Sequence, residues 1–297
     1  MRVVSVRSGR VEPRHARSGP RSVSWRLAAL LLLTLASALW LAACSGNKKE
    51  DPILRLSATE ALETGKVLLA QGKFREARRY LIHAFEVEPN SAAGRDGLLF
   101  AADAPFQQGG FDGWVEAETR YRDFLNRFPT SPRADYAQFR IAVSLAERME
   151  KPSRDQETAH QALLAFEDLQ RSFPLSPHIE EAGEYQSRVR DNLAEHEFYV
   201  ANFYYRYGRP RATIARLESL METYPDYGSI DKALALQCRA YDRAELDEQA
   251  QEACDRLRRE FPDSRFVKQV RGLPKRGRAQ QEEGEAPDAP AEEAPDG

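Results

Sequence analysis

The chain has 297 residues, 42% hydrophobic and 30% charged, with 43 Lys and Arg against 46 Asp and Glu; this is the make-up of a soluble globular protein. The first 43 residues hold seven arginines and one acid, Glu12, so the rest of the chain carries a formal charge of −9 instead of −3. That acidity argues against non-specific binding to nucleic acid, whose phosphates require a basic face.

In chain order, the first element is an uncharged run from Leu27 to Trp40, LAALLLLTLASALW. Fourteen residues of helix span about 21 Å, short of the roughly 30 Å hydrocarbon core, so the run reads as the apolar region of a signal peptide rather than a membrane span. The next residues, Leu41-Ala42-Ala43-Cys44, resemble the bacterial lipobox. Small side chains admit the peptidase, and only a thiol supplies the nucleophile for lipid transfer. Residues 1–43 are therefore expected to be a cleaved lipoprotein signal peptide, and Cys44 to carry a diacylglycerol and an N-acyl chain. Two or three acyl chains exceed the threshold for stable anchoring. The residue after the cysteine is Ser45 rather than Asp, which by resemblance points to the outer membrane. The long stretch before Arg26 departs from that pattern and leaves a downstream start codon as an alternative.

Residues 44–56 are polar, contain Pro52 and show no period, and are expected to be a flexible tether. Residues 57–267 then carry a repeat. Five segments end alike, at Pro89, Pro129, Pro174, Pro225 and Pro262. Twelve residues before each proline stands Ala77, Ala117, Ala162, Thr213 or Ala250. Eight before stands Leu81, Tyr121, Phe166, Leu217 or Cys254, and five before stands Ala84, Phe124, Leu169, Leu220 or Leu257. Steps of four and three trace one helix face, and proline ends the helix because it lacks an N–H and restricts its predecessor.

The pattern resembles the second helix of a tetratricopeptide repeat, a helix-turn-helix unit of about 34 residues. The first repeat is fullest, with Ala61, Gly65 and Leu68 on one helix, a Gly72-Lys73-Phe74 turn, and Ala77, Leu81, Ala84 and Pro89 on the next; Gly65 and Ala77 are expected where the helices touch most closely. The fold class expected is all-α, a tetratricopeptide-repeat superhelical solenoid of about five helix-turn-helix repeats. The prolines are 40, 45, 51 and 37 residues apart. The excess over 34 is assigned to the Gln107-Gln108-Gly109-Gly110 turn, the polar stretch 150–156 and an extra helical segment over 177–191 that continues into the next helix. Around Asp103-Ala104-Pro105 the second repeat shows no first-helix pattern. From residue 268 the chain is basic and then becomes QQEEGEAPDAPAEEAPDG, too poor in apolar surface to offset the entropy of ordering, so 268–297 is expected to be a disordered tail.

The later repeats carry a more specific likeness. Arg154-Asp155-Gln156, Ala162-Leu163-Leu164-Ala165-Phe166, Phe173-Pro174-Leu175-Ser176-Pro177 and Leu193-Ala194-Glu195-His196-Glu197, leading to Phe203-Tyr204, resemble the BamD family of tetratricopeptide lipoproteins. The resemblance implies a non-enzymatic outer-membrane protein assembly scaffold. It would be lipid-anchored and face the periplasm, its partners the periplasmic domains of the barrel-forming assembly subunit and unfolded outer-membrane proteins. It also makes Arg216, in Arg216-Leu217-Glu218, a candidate partner contact. A tetratricopeptide lipoprotein scaffold for cell division or peptidoglycan synthesis is the alternative; such proteins usually carry a coiled coil before the repeats, and none is visible here. An envelope hydrolase would need a catalytic domain, for which no unassigned stretch is long enough.

No other chemistry is expected: no catalytic residue, no metal, no small-molecule substrate and no nucleic acid partner. His196-Glu197 begins a zinc-protease motif, but the position of its second histidine is Val200. Gln108-Gly109-Gly110-Phe111 lacks the Lys-Ser/Thr sequel of a phosphate loop. Cys238 and Cys254 fall at facing positions of the last repeat if its hairpin turns near Glu245. In an oxidising compartment they could form a disulfide at a Cα separation within about 6.8 Å, or pack as two buried thiols. Phe198, Tyr199, Phe203, Tyr204, Tyr205 and Tyr207 supply either core or a peptide-holding face.

Overall fold

The structure, a computed structural model, describes residues 51–274; the expected signal peptide, Cys44 and the chain beyond Pro274 lie outside the described residues. Among the described residues ten α-helices form five consecutive pairs. The pairs are α1 (Ala58–Ala70) with α2 (Phe74–Val87), α3 (Ala92–Gln108) with α4 (Gly110–Arg127), α5 (Ala134–Ala146) with α6 (Glu157–Ser172), α7 (Ile179–Arg206) with α8 (Pro210–Thr223), and α9 (Ile230–Arg243) with α10 (Asp247–Glu260). The fold is an all-α tetratricopeptide solenoid.

The repeat positions read from the prolines are the core. All fifteen residues at twelve, eight and five before the prolines, from Ala77 to Leu257, have no solvent exposure. Burying each large member is worth about 1.5–3 kcal/mol relative to leaving it exposed.

The residue before each proline leaves the helix in the same way. Glu88, Phe128, Phe173, Tyr224 and Phe261 have φ between −127° and −137° and ψ between 59° and 72°, outside the helical region that the following ring forbids. In each case the carbonyl of this residue accepts from the N–H three residues on, at Ser91, Ser131, Ser176, Tyr227 and Ser264, so proline occupies the second position of a tight turn that closes each repeat.

Turns within the pairs repeat as well. After α1, α7 and α9 a residue with positive φ, Gly72, Gly208 or Glu245, is followed by one whose N–H reaches back five residues: Lys73 to Leu68, Arg209 to Tyr204 and Leu246 to Tyr241. This is the Schellman closure of a helix, and it puts the last hairpin at Glu245, where the repeat pattern expected it. Gly65 lies where α1 meets α2: a Cβ there would stand 2.5 Å from Leu81 Cγ.

Three sequence expectations need correction. The second repeat keeps its first helix: α3 runs unbroken through Asp103-Ala104-Pro105, with Pro105 inside it, and it packs on α2 through Gly94 and Gly97, whose added Cβ atoms would strike Glu88 O and Leu81 O. The extra residues of that repeat extend its two helices instead of the Gln107–Gly110 turn. Ordered chain begins before residue 57, because Pro52–Arg55 forms a 3-10 turn, Ile53 is buried, and the Leu56 carbonyl bonds to His83 Nε2 at 3.3 Å. Residues 268–270 do not belong to the expected tail, because Arg265–Val270 forms a second 3-10 turn with Val270 fully buried; the rest of that expectation falls mostly outside the described residues. Phe266, Val267 and Leu273 pack on the same cluster as Val270, and Arg258 donates to the Val270 carbonyl. The two longer intervals behave as expected: one is taken up by the stretch between α5 and α6, the other by the 28 residues of α7.

Candidate protein-docking surface

Helix α7 is twice the length of its partner α8, and the two halves of one of its faces meet different surroundings. In the first half, Arg188 pairs with Glu147 at 3.6 Å, Asn192 Nδ2 donates to Glu150 O at 3.1 Å and to Gln156 Oε1 at 2.8 Å, and His196 Nδ1 bonds to Pro152 O at 2.7 Å. The α5–α6 connection is thus strapped along the helix. His196 is occupied by a backbone carbonyl, and among the described residues no group of three His, Cys, Asp or Glu is placed to hold a metal ion.

Past that strap the same face is bare. Tyr199, Phe203 and Tyr207, one turn apart, are 50%, 48% and 70% exposed, with the Phe203 and Tyr207 rings 4.5 Å apart. Exposed large aromatics at helical spacing, two of them with a phenolic hydroxyl, suit a protein contact, since they bring area at low conformational cost. The other three aromatics of the group turn inward or sideways. Phe198 lies under Lys232 Nζ at 4.1 Å, Tyr205 carries Arg239 and Arg243 over its ring, and Tyr204 is half-buried. The sequence could not divide these six because the dividing contacts come from α9 and from the α5–α6 connection, far away in the chain.

Arg216 is exposed on α8 and pairs with Glu197 of α7 at 3.1 Å, while Glu218, two residues on, accepts from Tyr241 Oη of α9 at 2.6 Å. The Arg216-Leu217-Glu218 triplet therefore ties the fourth pair internally and to the fifth, and leaves the guanidinium at the surface. Glu195 receives Lys232 Nζ at 2.7 Å and the Tyr227 hydroxyl; burial and that bond to a carboxylate hold the Tyr227 phenol well above its ordinary pKa. Cys238 and Cys254 face one another across α9 and α10 with Cα atoms 5.1 Å apart and are joined in the structure. Cys44 lies outside the described residues.

One polar cluster escaped the sequence reading. Asp103 on α3 is buried and accepts from the hydroxyls of Tyr121 on α4 and Tyr136 on α5, the latter at 2.9 Å. Burial raises the Asp103 pKa against these donations and the nearby Arg140, and burial first, then the Asp103 charge, pushes Tyr136 up to about 12. Arg140 stacks on Phe106 at 4.6 Å and on Tyr136 at 5.1 Å. The signal was present: Tyr121 stands at a core position that other repeats fill mostly with apolar residues, and its buried hydroxyl needs a partner. The cluster ties α3, α4 and α5 together.

Comparison with known proteins agrees with this helical frame. The family model described as outer membrane lipoprotein, YfiO, matches residues 55–257, from just before α1 into the last turn of α10. The chain is 25% identical over 224 residues to the outer membrane protein assembly factor BamD of Pasteurella multocida, covering 72% of this chain and 84% of the relative. It is 26% identical over 225 residues to the BamD of Haemophilus influenzae, with the same two coverages. Against the BamD of Caulobacter vibrioides it is 25% identical over 240 residues, 80% of this chain and 78% of the relative. With two thirds of its length matched by that model, the chain belongs to the outer membrane lipoprotein family YfiO.

Proposed function

We propose that the protein is an outer-membrane protein assembly factor that acts by binding other proteins and not by catalysis. The family match across all five helix pairs carries the reading, together with relatives named for that role. The chain is anchored by acyl chains on Cys44 after removal of residues 1–43, hangs in the periplasm, and presents its repeats to the periplasmic domains of the barrel-forming subunit and to unfolded outer-membrane proteins. The bare aromatic stretch of α7 and the exposed guanidinium of Arg216 are the contacts assigned to the assembly subunit. The disulfide between Cys238 and Cys254 forms in that oxidising compartment. Among the described residues no helix is long and apolar enough to cross a membrane.

The test is purification from the native envelope in mild detergent, with co-purifying proteins identified by mass spectrometry for the wild type, Cys44→Ala and Phe203→Ala. Recovery of the barrel-forming subunit with the wild type, its depletion with Phe203→Ala, and an acylated Cys44 peptide are expected. Recovery of cell-wall synthases or division proteins in its place would overturn the assembly role.

A further inference from the structure

The point at which the described chain ends is fixed and faces a basic hollow. Arg258 of α10 donates through Nη2 to the carbonyls of Val270, at 3.2 Å, and Leu273, at 3.4 Å. The Leu273 side chain lines an open hollow of about 460 Å³ with Tyr205, Arg239, Asp242, Arg243 and Gln269. Arg239 and Arg243 lie over the Tyr205 ring at 4.8 and 5.3 Å. Arg243 Nη1 donates to Tyr205 O at 3.0 Å and Arg239 Nη1 to Gln269 Oε1 at 3.4 Å, both neutral acceptors, and Asp242, the acid in the lining, has an interaction of its own. The Tyr207–Arg209 turn borders the hollow, since a Cβ on Gly208 would stand 3.6 Å from Arg243 Nη2, and Arg206 and Arg209 beside it are exposed. Planar guanidinium groups stacked on an aromatic ring suit carboxylates, which they bind through two N–H groups at once.

The chain carries such carboxylates a short way beyond Leu273. Residues 282–296 contain Glu282, Glu283, Glu285, Asp288, Glu292, Glu293 and Asp296, no lysine or arginine, and Pro287, Pro290 and Pro295. Extended chain covers about 3.3 Å per residue, so the step from Pro274 to Glu282 reaches about 26 Å, and the hollow begins at Leu273 itself. A single exposed carboxylate–arginine pair contributes at most about 1 kcal/mol. Tethering changes this, because a short linker supplies an effective concentration in the millimolar range, and proline reduces the freedom lost on docking.

We propose that the acidic, proline-containing segment Glu282–Asp296 docks in cis on the arginine–tyrosine hollow between α7 and α9. The segment is then an intramolecular competitor on the face of the last two repeats, and an acidic stretch of another protein gains the hollow only by displacing it. This proposal does not depend on which assembly the protein serves.

The experiment titrates a fluorescein-labelled peptide of residues 280–297 into purified full-length protein and reads anisotropy. Two proteins are compared: the native chain and one whose seven tail acids are changed to Gln or Asn. The neutral-tail protein should bind the peptide about tenfold more tightly than the native chain, whose own segment competes, and about 0.5 M salt should weaken that binding. Arg239→Ala with Arg243→Ala in the neutral-tail protein should abolish it; Arg243→Gln alone, checked by circular dichroism, serves if the double variant fails to fold. Equal affinity of the two proteins, no binding to the neutral-tail protein at millimolar peptide, or binding that survives loss of the arginines would each overturn the proposal. The last would assign the tail acids to Lys275, Arg276 and Arg278 or another face.

Discussion

Gly65 and Gly72 sit seven residues apart and are both glycine for unrelated reasons. At Gly65 φ is ordinary, but a Cβ would lie 2.5 Å from Leu81 Cγ and 3.3 Å from Ala77 O, so alanine must push α1 off α2 at an expected cost of about 1–3 kcal/mol. At Gly72 nothing lies within 4 Å of the added Cβ, but φ is +72°, so alanine should cost about 1 kcal/mol through the left-handed backbone alone. Urea denaturation separates them: Leu81→Ala in the same chain should relieve the first substitution and leave the second unchanged. Asp103 gives a residue-scale prediction in pH. Its pKa is raised by burial, so the native state holds that proton more tightly than the unfolded chain. Its contribution therefore favours the fold fully below the unfolded pKa and is lost as pH climbs through the folded one. Asp103→Asn keeps an acceptor for Tyr121 and Tyr136 and removes the titration. Relative to the native protein the variant should gain stability as pH rises above the ordinary carboxylate range; a pH-independent difference would mean that folding leaves the carboxyl's pKa unshifted.

At the scale of single elements, α9 and α10 form the pair with the fewest outside supports. Its core is Leu234, Ala235, Cys238, Ala253, Cys254, Leu257 and Val270, small residues for the most part, and the Cys238–Cys254 link closes a loop with a sequence separation of 16. A loop of that length restricts the unfolded chain by about 3 kcal/mol in the entropic account. Thiol titration of the denatured, unreduced protein should therefore find neither cysteine free, and Cys238→Ala with Cys254→Ala should raise amide exchange in α9 and α10 while α4 and α5 keep their protection. Unchanged exchange would show that the small core alone holds the pair. Helix α7 is the opposite case, supported by α6, α8, α9 and the α5–α6 strap. Its continuity was legible in the absence of proline between His178 and Tyr207. Which of the six aromatics from Phe198 to Tyr207 would be bare was not legible, because burial on a helix that long is decided by whichever distant segment lies along it.

Across the whole described chain, what could be read in advance is what recurs. Fifteen core positions and the five turns that close the repeats came out of the proline spacing, since a repeat that contacts only its neighbours must solve the same packing problem each time. What could not be read is what occurs once: Gly94 and Gly97 replacing larger residues against α2, the Asp103–Tyr121–Tyr136 cluster, and the ordered turn holding Val270. The same division predicts how the molecule opens. The largest apolar cluster runs without a break from Leu99 on α3 to Leu236 on α9 and takes in Tyr121, Phe124, Phe139 and Phe166, whereas α1 and α2 rest mainly on a separate cluster of ten smaller residues. In a chain of nearest-neighbour contacts the ends open first, and their opening free energy is set by their own interface. Hydrogen exchange under native conditions should show α1 and α2 opening before α4 to α7, with α9 and α10 joining them once the disulfide is removed. Leu81→Ala, which strips the centre of the first cluster at a cost of about 2–5 kcal/mol, should lower protection in α1 to α3 and leave α6 to α8 unaffected. Phe166→Ala, in the shared cluster, should lower protection from α4 to α8 together. If both substitutions lowered protection uniformly, the five pairs would unfold as one cooperative unit and the separation of their cores would have no energetic meaning.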